Sequence, residues 1–216
     1  MSVLPHAEDP PRPAAPLSVR RGAERREWVP IRALTPHHRP RILAHLLQLD
    51  PQDRYLRFGY LASDEQLARY VDQIAFDRDE VFGIFNRRLQ LIGWAHLAFA
   101  APGTPQAAGP AMAEFGVSVL TTARGRGFGA RLFERAILLA RNRGVETLLI
   151  HALSENAAML HLARQAGATV IRQGSESEAR LSLPPDTFAS KVEEMMSAQA
   201  AEVDYQIKAH NRRVGS

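Results

Sequence analysis

Apolar positions along the chain follow two rhythms, every second residue and every third or fourth, and the switches between them fall at Pro, Gly and capping residues. Trp28, Val29, Ile31 and Leu34 read as a first strand, with Pro30 favouring a sheet edge. Thr35-Pro36 is an N-cap followed by a first-turn Pro, and Ile42, Leu43, Leu46, Leu47 and Leu49 then recur at helical spacing. Asp50-Pro51 restarts a short helical turn carrying Tyr55, Leu56 and Phe58. Ser63 to Gln66 is a capping box ahead of Leu67, Tyr70, Val71 and Ile74, which predicts a further helix.

Alternation then predicts strands over 81–86 and 89–99, joined by a tight Arg87-Arg88 connection. Residues 100–111 hold three Pro and two Gly, the composition of a mobile hairpin loop. A strand over 113–120 runs into a Gly-rich turn, Arg124 to Gly129. There follows a long amphipathic helix with Leu132, Phe133, Ala136, Ile137 and Ala140 on one face, closed by Arg141, Arg143 and Gly144. A strand over 147–153, a helix from Asn156 to about Gly167, and strands over 168–172 and 179–183 complete the pattern. Pro184-Pro185 breaks it, and a last helix is expected over about 187–212. The order describes one α/β domain with a mixed sheet over residues 28–184 and a C-terminal helical extension over 185–216.

Composition narrows the function classes. Of 216 residues 45% are hydrophobic and 23% charged, so the chain has ample material for a core. Residues 1–27 hold five Pro and few large apolar side chains, which predicts a flexible tail. No cysteine is present, which rules out disulfides, thiolate zinc sites and cysteine nucleophiles. No apolar run approaches the roughly 20 residues that span a bilayer, so no membrane partner is expected and a cytoplasmic setting is the default. The net charge of +4 is small for this length and the tail carries five Arg against four acids, so no nucleic-acid partner is expected.

The chemistry concentrates between Phe115 and Ala130. A strand, a turn with Gly125, Gly127 and Gly129, and a helix follow one another there. Amides opening a helix lack intrahelical partners and the helix dipole favours negative charge at that end, so the arrangement suits an anion. Gly127 and Gly129 would let a pyrophosphate approach the backbone, and Arg124 and Arg126 add cationic donors. Two rival phosphate motifs fail. Position 130 is Ala where G-x-G-x-x-G needs its third Gly, and no Lys stands where a P-loop needs one.

Arg124, Gly127 and Gly129 spell Arg-x-x-Gly-x-Gly, and here the chain resembles the GNAT acetyltransferase superfamily, whose coenzyme A signature is [Gln/Arg]-x-x-Gly-x-[Gly/Ala] between its fourth strand and third helix. Asn156 through Gly167 resembles the family's second signature, a helix capped by Asn and ended by Gly. Asp53-Arg54-Tyr55-Leu56-Arg57-Phe58 and Asn156 to Leu160 are similar to bacterial Pat-type protein-lysine acetyltransferase domains. The resemblance covers about residues 28–183.

It implies a GNAT fold in which the fourth and fifth strands splay apart around the pantetheine arm of acetyl-CoA, the acyl donor. Val117, Ser118 and Val119 would face that arm with their backbone. Arg124, Gly125, Arg126, Gly127, Phe128, Gly129 and Ala130 would cradle the pyrophosphate, and Asn156 would lie beside the arm. The implied reaction is direct attack of a primary amine on the thioester, with a protein lysine as first choice of acceptor. A small-molecule amine, or a non-catalytic CoA-binding regulatory module, is the alternative. A lysine ammonium has a pKa of about 10.4, so a base must take its proton, and Glu114, early on the strand, is the candidate. The family's Tyr that protonates the leaving thiolate is replaced by Ala163, leaving Ser154, His161 or unaided departure.

Remaining motifs read more plainly. His37-His38 lacks any ligand arrangement for a metal, His96 and His151 read as satisfied strand histidines, and no Gly-x-Ser-x-Gly elbow is present. The Met-containing last helix reads as a packing surface or a homodimer contact.

Overall fold

The structure, a computed structural model, describes residues 28–100 and 111–214. The expected flexible tail and nearly all of the expected hairpin loop lie outside the described residues. Seven strands form one sheet in the order β1-β2-β3-β4-β5-β7-β6: β1 Arg32–Ala33, β2 Glu80–Phe85, β3 Leu91–Phe99, β4 Met112–Val119, β5 Thr147–Leu153, β6 Thr169–Gln173 and β7 Glu176–Ser182. Among the described residues only β4 and β5 run parallel; every other neighbour pair is antiparallel. The helices are α1 Arg39–Leu47, α2 Pro51–Phe58, α3 Asp64–Asp72, α4 Phe128–Asn142, α5 Ala157–Gln165 and α6 Phe188–Val214.

Local signals fix most of these boundaries. Asp50 accepts a hydrogen bond from the Asp53 amide and starts α2, and Gly59 ends it in the left-handed region. Ser63 and Gln66 close the capping box of α3. The β2–β3 connection departs from the expected two-residue turn. The strands end at Phe85 and begin again at Leu91, because Asn86 Oδ1 accepts from the amides of Arg88 and Gln90 and folds the intervening residues into a wider loop. The expected first strand contracts to two residues, which do lie at the sheet edge.

Pleating divides the sheet into two faces. Phe115 turns toward α4, where its ring centroid lies 5.0 Å from that of Phe133. Trp94, His96 and Ala98 stand opposite Ser118, Gly116 and Glu114 across β3 and β4, so these six share the other face, on which α1, α2 and α3 pack. Leu132, Phe133, Ala136 and Ala140 bury α4 as its apolar spacing requires. Helix α6 returns to the body rather than standing apart. Arg32 pairs with Glu202 at 2.8 Å, Arg41 donates to the Tyr205 hydroxyl at 2.6 Å, and Asn142 donates to Glu194 at 2.6 Å.

Candidate active site

Strands β4 and β5 pair only from Met112↔Thr147 to Glu114↔Leu149, although β4 keeps its pairing with β3 as far as Val119 and β5 keeps its pairing with β7 as far as Leu153. From Phe115 onward the two strands therefore part, each held by its outer neighbour. A cavity of about 460 Å³ fills the gap. Val117, Ser118, Val119, Arg124, Gly125, Gly127, Phe128, Gly129, Ala130 and Asn156 all line it, which brings together the cofactor-binding residues the sequence singled out, with one exception. Arg126 lines a neighbouring cavity of about 1040 Å³ instead, its guanidinium 4.7 Å from the Phe128 ring.

The phosphate-type loop has the geometry its glycines suggest. Gly127 is the N-cap of α4 with φ +73°, and no side chain caps the helix. A Cβ at Gly125 or Gly127 would meet nothing within 4 Å, so the space before the helix is open. Arg131 is the first residue whose amide reaches a helical partner, Gly127 O at 3.1 Å. The preceding amides are left for a ligand or solvent. These features fit a diphosphate. Arg124 spends part of its guanidinium on the protein: Nη2 lies 2.6 Å from Asp53 and Nε donates to Val119 O at 3.1 Å, which ties the loop to the end of β4. Asn156 Oδ1 accepts from the Met159 amide as the expected helix cap, while its Nδ2 donates to Leu56 O at 3.3 Å and joins α2 to α5 across the gap.

Glu114 stands at the last β4–β5 pair before the strands part. Its side chain is 57% exposed, it does not line the cavity, and Oε1 lies 3.3 Å from Nδ1 of His151, which does line it. Burial pushes the His151 pKa down, but hydrogen bonds and charge from Glu114 and Glu178 outweigh that and raise it. Ala163 is fully buried on the packed face of α5. The Ser154 hydroxyl is spent on Gly174 O, Glu176 O and Ser177, which fixes the β5–β7 end and leaves Ser154 a structural residue. His161 lines the cavity from α5.

Several groups around the gap carry no local signature in the sequence. Arg57 of α2 lines the cavity and lies so close over Gly116 that a Cβ there would collide with its guanidinium; a glycine is what admits the guanidinium onto the strand. Arg57 Nη2 donates to the Tyr70 hydroxyl at 3.1 Å, and its Nε is buried without a hydrogen-bond partner among the described residues. The Tyr70 hydroxyl lies 3.0 Å from Nδ1 of His96, whose Nε2 is 2.9 Å from Asp79 Oδ2. Burial alone would raise the Asp79 carboxyl, but hydrogen bonds from His96, Arg78 and the Phe99 amide hold it far below the usual carboxylate range. On the cofactor side, His45 of α1 is 1% exposed; Nδ1 donates to Leu91 O at 2.8 Å, so Nε2 accepts the Ser118 hydroxyl. Ser118 thus presents only its backbone to the gap.

A sheet whose parallel pair splays over a Gly-rich helix start defines an acyltransferase fold built to hold a thioester of coenzyme A. The profile of the acetyltransferase (GNAT) family matches residues 43–168, and the chain belongs to this family, with acetyl-CoA as its acyl donor. It is similar to the GNAT domain of PAT from S. lividans, at 22% identity and a TM-score of 0.58 over 71% of this chain and 89% of that one. It is also similar to a ribosomal-protein-alanine N-acetyltransferase from Brucella melitensis, at 22% identity and a TM-score of 0.54 over 71% and 99%. A putative acetyltransferase from Salmonella typhimurium, solved with its cofactor acetyl-CoA, matches at 16% identity and a TM-score of 0.55 over 74% and 96%.

Proposed function

We propose that the protein transfers the acetyl group of acetyl-CoA to a primary amine, with a protein lysine as the acceptor, by direct attack on the thioester. The observation that carries this is the parting of β4 from β5 after Glu114, with the uncapped start of α4 at its open end. The unpaired edge of β4 is suited to pair with the extended pantetheine arm as an added strand would, and the free amides of α4 to take the diphosphate. The acceptor would approach on the face that carries Arg57, Tyr70, His96, Glu114 and His151. Glu114, held by His151, takes the first proton, the one that makes the ammonium a nucleophile. The lysine choice is supported by the resemblance to Pat-type domains, one of which is among the similar structures. The proposal includes a second copy of the chain seated on the exposed apolar side of α6, where Phe188, Met195, Met196, Val203 and Ile207 are more than half exposed.

Calorimetric titration with acetyl-CoA, followed by CoA release over a panel of lysine peptides and small amines, tests the reading. Turnover of lysine peptides that falls in E114Q supports it. Turnover confined to small amines moves the acceptor class, and acetyl-CoA binding without turnover of any amine makes the protein a CoA-binding regulatory module.

A further inference from the structure

Acetylation of an amine moves two protons. The first leaves the ammonium before attack. The second sits on the nitrogen once it has bonded to the carbonyl carbon, and it must leave as the sulfur, departing as thiolate, gains one. Glu114 and His151 serve the first. The structure holds a separate chain of groups for the second: Asp79, His96, Tyr70 and Arg57, contributed by the segment before β2, by β3, by α3 and by α2, of which Arg57 lines the gap and Tyr70 stands one hydrogen bond behind it.

We propose that Tyr70 carries this second proton from the attacking nitrogen to the leaving sulfur, an inference that rests on the acetyl-transfer reading above. Asp79 is a buried carboxylate, so it accepts the Nε2 proton of His96 and fixes the tautomer that leaves Nδ1 free to accept from Tyr70. Tyr70 Oη takes the proton from the nitrogen as its own phenolic proton passes to His96 Nδ1, and the imidazolium is neutralised by Asp79. When the C–S bond breaks, Tyr70 gives its proton to the sulfur and recovers the other from His96. One C–N bond forms, one C–S bond breaks, and the chain returns to its starting state. Arg57 offsets negative charge on Oη during the exchange. Its charge is free for this, because no carboxylate pairs with it among the described residues and its Nη2 already contacts that oxygen at 3.1 Å. Tyr70 is the catalytic residue here, and His96 and Asp79 act through it as positioning residues. The charged and titratable groups facing the phenol are Arg57 from α2, the His96 imidazole from β3, and Asp79 with Arg78 behind it.

Y70F removes the relay and keeps the ring that packs against Phe58 and Trp94. General acid–base catalysis is worth about 10²–10⁴-fold, and a thiolate leaves readily, so the expected loss of kcat is about 10- to 100-fold, with acetyl-CoA affinity and melting temperature unchanged. The two protons separate by acceptor. At pH 8 a peptide α-amine, with a pKa of about 7.7–8.0, arrives about half neutral, whereas a lysine ammonium, with a pKa of about 10.4, arrives almost fully charged, so the deficit of E114Q is smaller on the α-amine than on the lysine peptide. The deficit of Y70F persists on both. H96Q, which keeps a donor for Asp79 but cannot carry a proton, reproduces the persistent deficit and serves as the readout if Y70F is less stable. A kcat within about twofold of wild type in Y70F and H96Q, or deficits that shrink on the α-amine as that of E114Q does, would overturn the relay while acetyl transfer stands. A wild type that binds acetyl-CoA and turns over no amine removes acetyl transfer itself, and the relay with it.

Discussion

His45 shows what one buried side chain does to the whole. It is pressed between β3 and β4 as a neutral imidazole, and burial, with a smaller push from the Arg57 charge, lowers its pKa to about 4 despite the bond to Leu91 O. The unfolded chain binds a proton near pH 6.5 and the folded one resists until about 4, so stability is full above 6.5 and falls as pH drops between those values. His38, lowered first by burial and then by Arg32 and Arg41, acts in the same direction. Urea unfolding at pH 7 and pH 4.5 should differ by about 2–3 kcal/mol, and H45Q should flatten most of that difference. At the phosphate loop, Arg124 offers the guanidinium donors that Asp53 and Val119 leave over. R124A should weaken acetyl-CoA binding about 10- to 100-fold, since charge-assisted hydrogen bonds contribute about 1.5–3 kcal/mol; calorimetry reads this directly.

At the scale of elements, glycines with different surroundings should fail differently. A Cβ at Gly83 on β2 would fall 2.5 Å from Leu91 Cδ1 and 3.0 Å from Gly93 O, so G83A should cost about 1–3 kcal/mol of stability by overpacking. At Gly127 nothing is near, and the cost of G127A is the left-handed φ of +73°, about 1–2 kcal/mol. There the added methyl stands where the diphosphate would lie, so acetyl-CoA affinity should fall well beyond what the loss of stability accounts for. If G127A binds as wild type does, the diphosphate lies elsewhere. Helices α3, α4 and α5 were legible because box, cap and apolar face are all local: Ser63 with Gln66, Gly144 after Arg143, Asn156 ahead of Met159. Strands β6 and β7 were legible in kind and less so in extent. Ser177 and Ala179 are buried on a strand whose intervening residues are charged, and the pairing with β5, which runs from Ser182 back to Glu176, carried β7 three residues further toward the N-terminus than 179–183.

At the scale of the molecule, α6 is both fastened and unfinished. Arg32, Arg41 and Asn142 hold one side of it, and Tyr205 packs its ring against Phe85 and under Arg32, so truncation after Leu183 should lower the melting temperature by several degrees. Its other side presents Phe188, Met195, Met196, Val203 and Ile207 to solvent, and sedimentation equilibrium should find a dimer that M196E with V203E returns to monomer; a wild-type monomer at high concentration would remove the second copy from the proposal. The sequence by itself determined the α/β pattern, the Gly-rich start of α4 with its anion-binding chemistry, and the family those residues resemble, because each is written in neighbouring residues through spacing, caps and backbone freedom. Only the tertiary structure decided that Glu114 would meet His151 at the edge of the gap, that Arg126 would turn to the neighbouring cavity, and that Asp79, His96, Tyr70 and Arg57 would join in one chain. Within that chain the contacts bridge separations of 13 to 26 residues between α2, α3, β3 and the segment before β2, Glu114 and His151 come from different strands, and His45 reaches Ser118 across 73. Such meetings are fixed by strand register and helix packing, which no stretch of adjacent residues encodes.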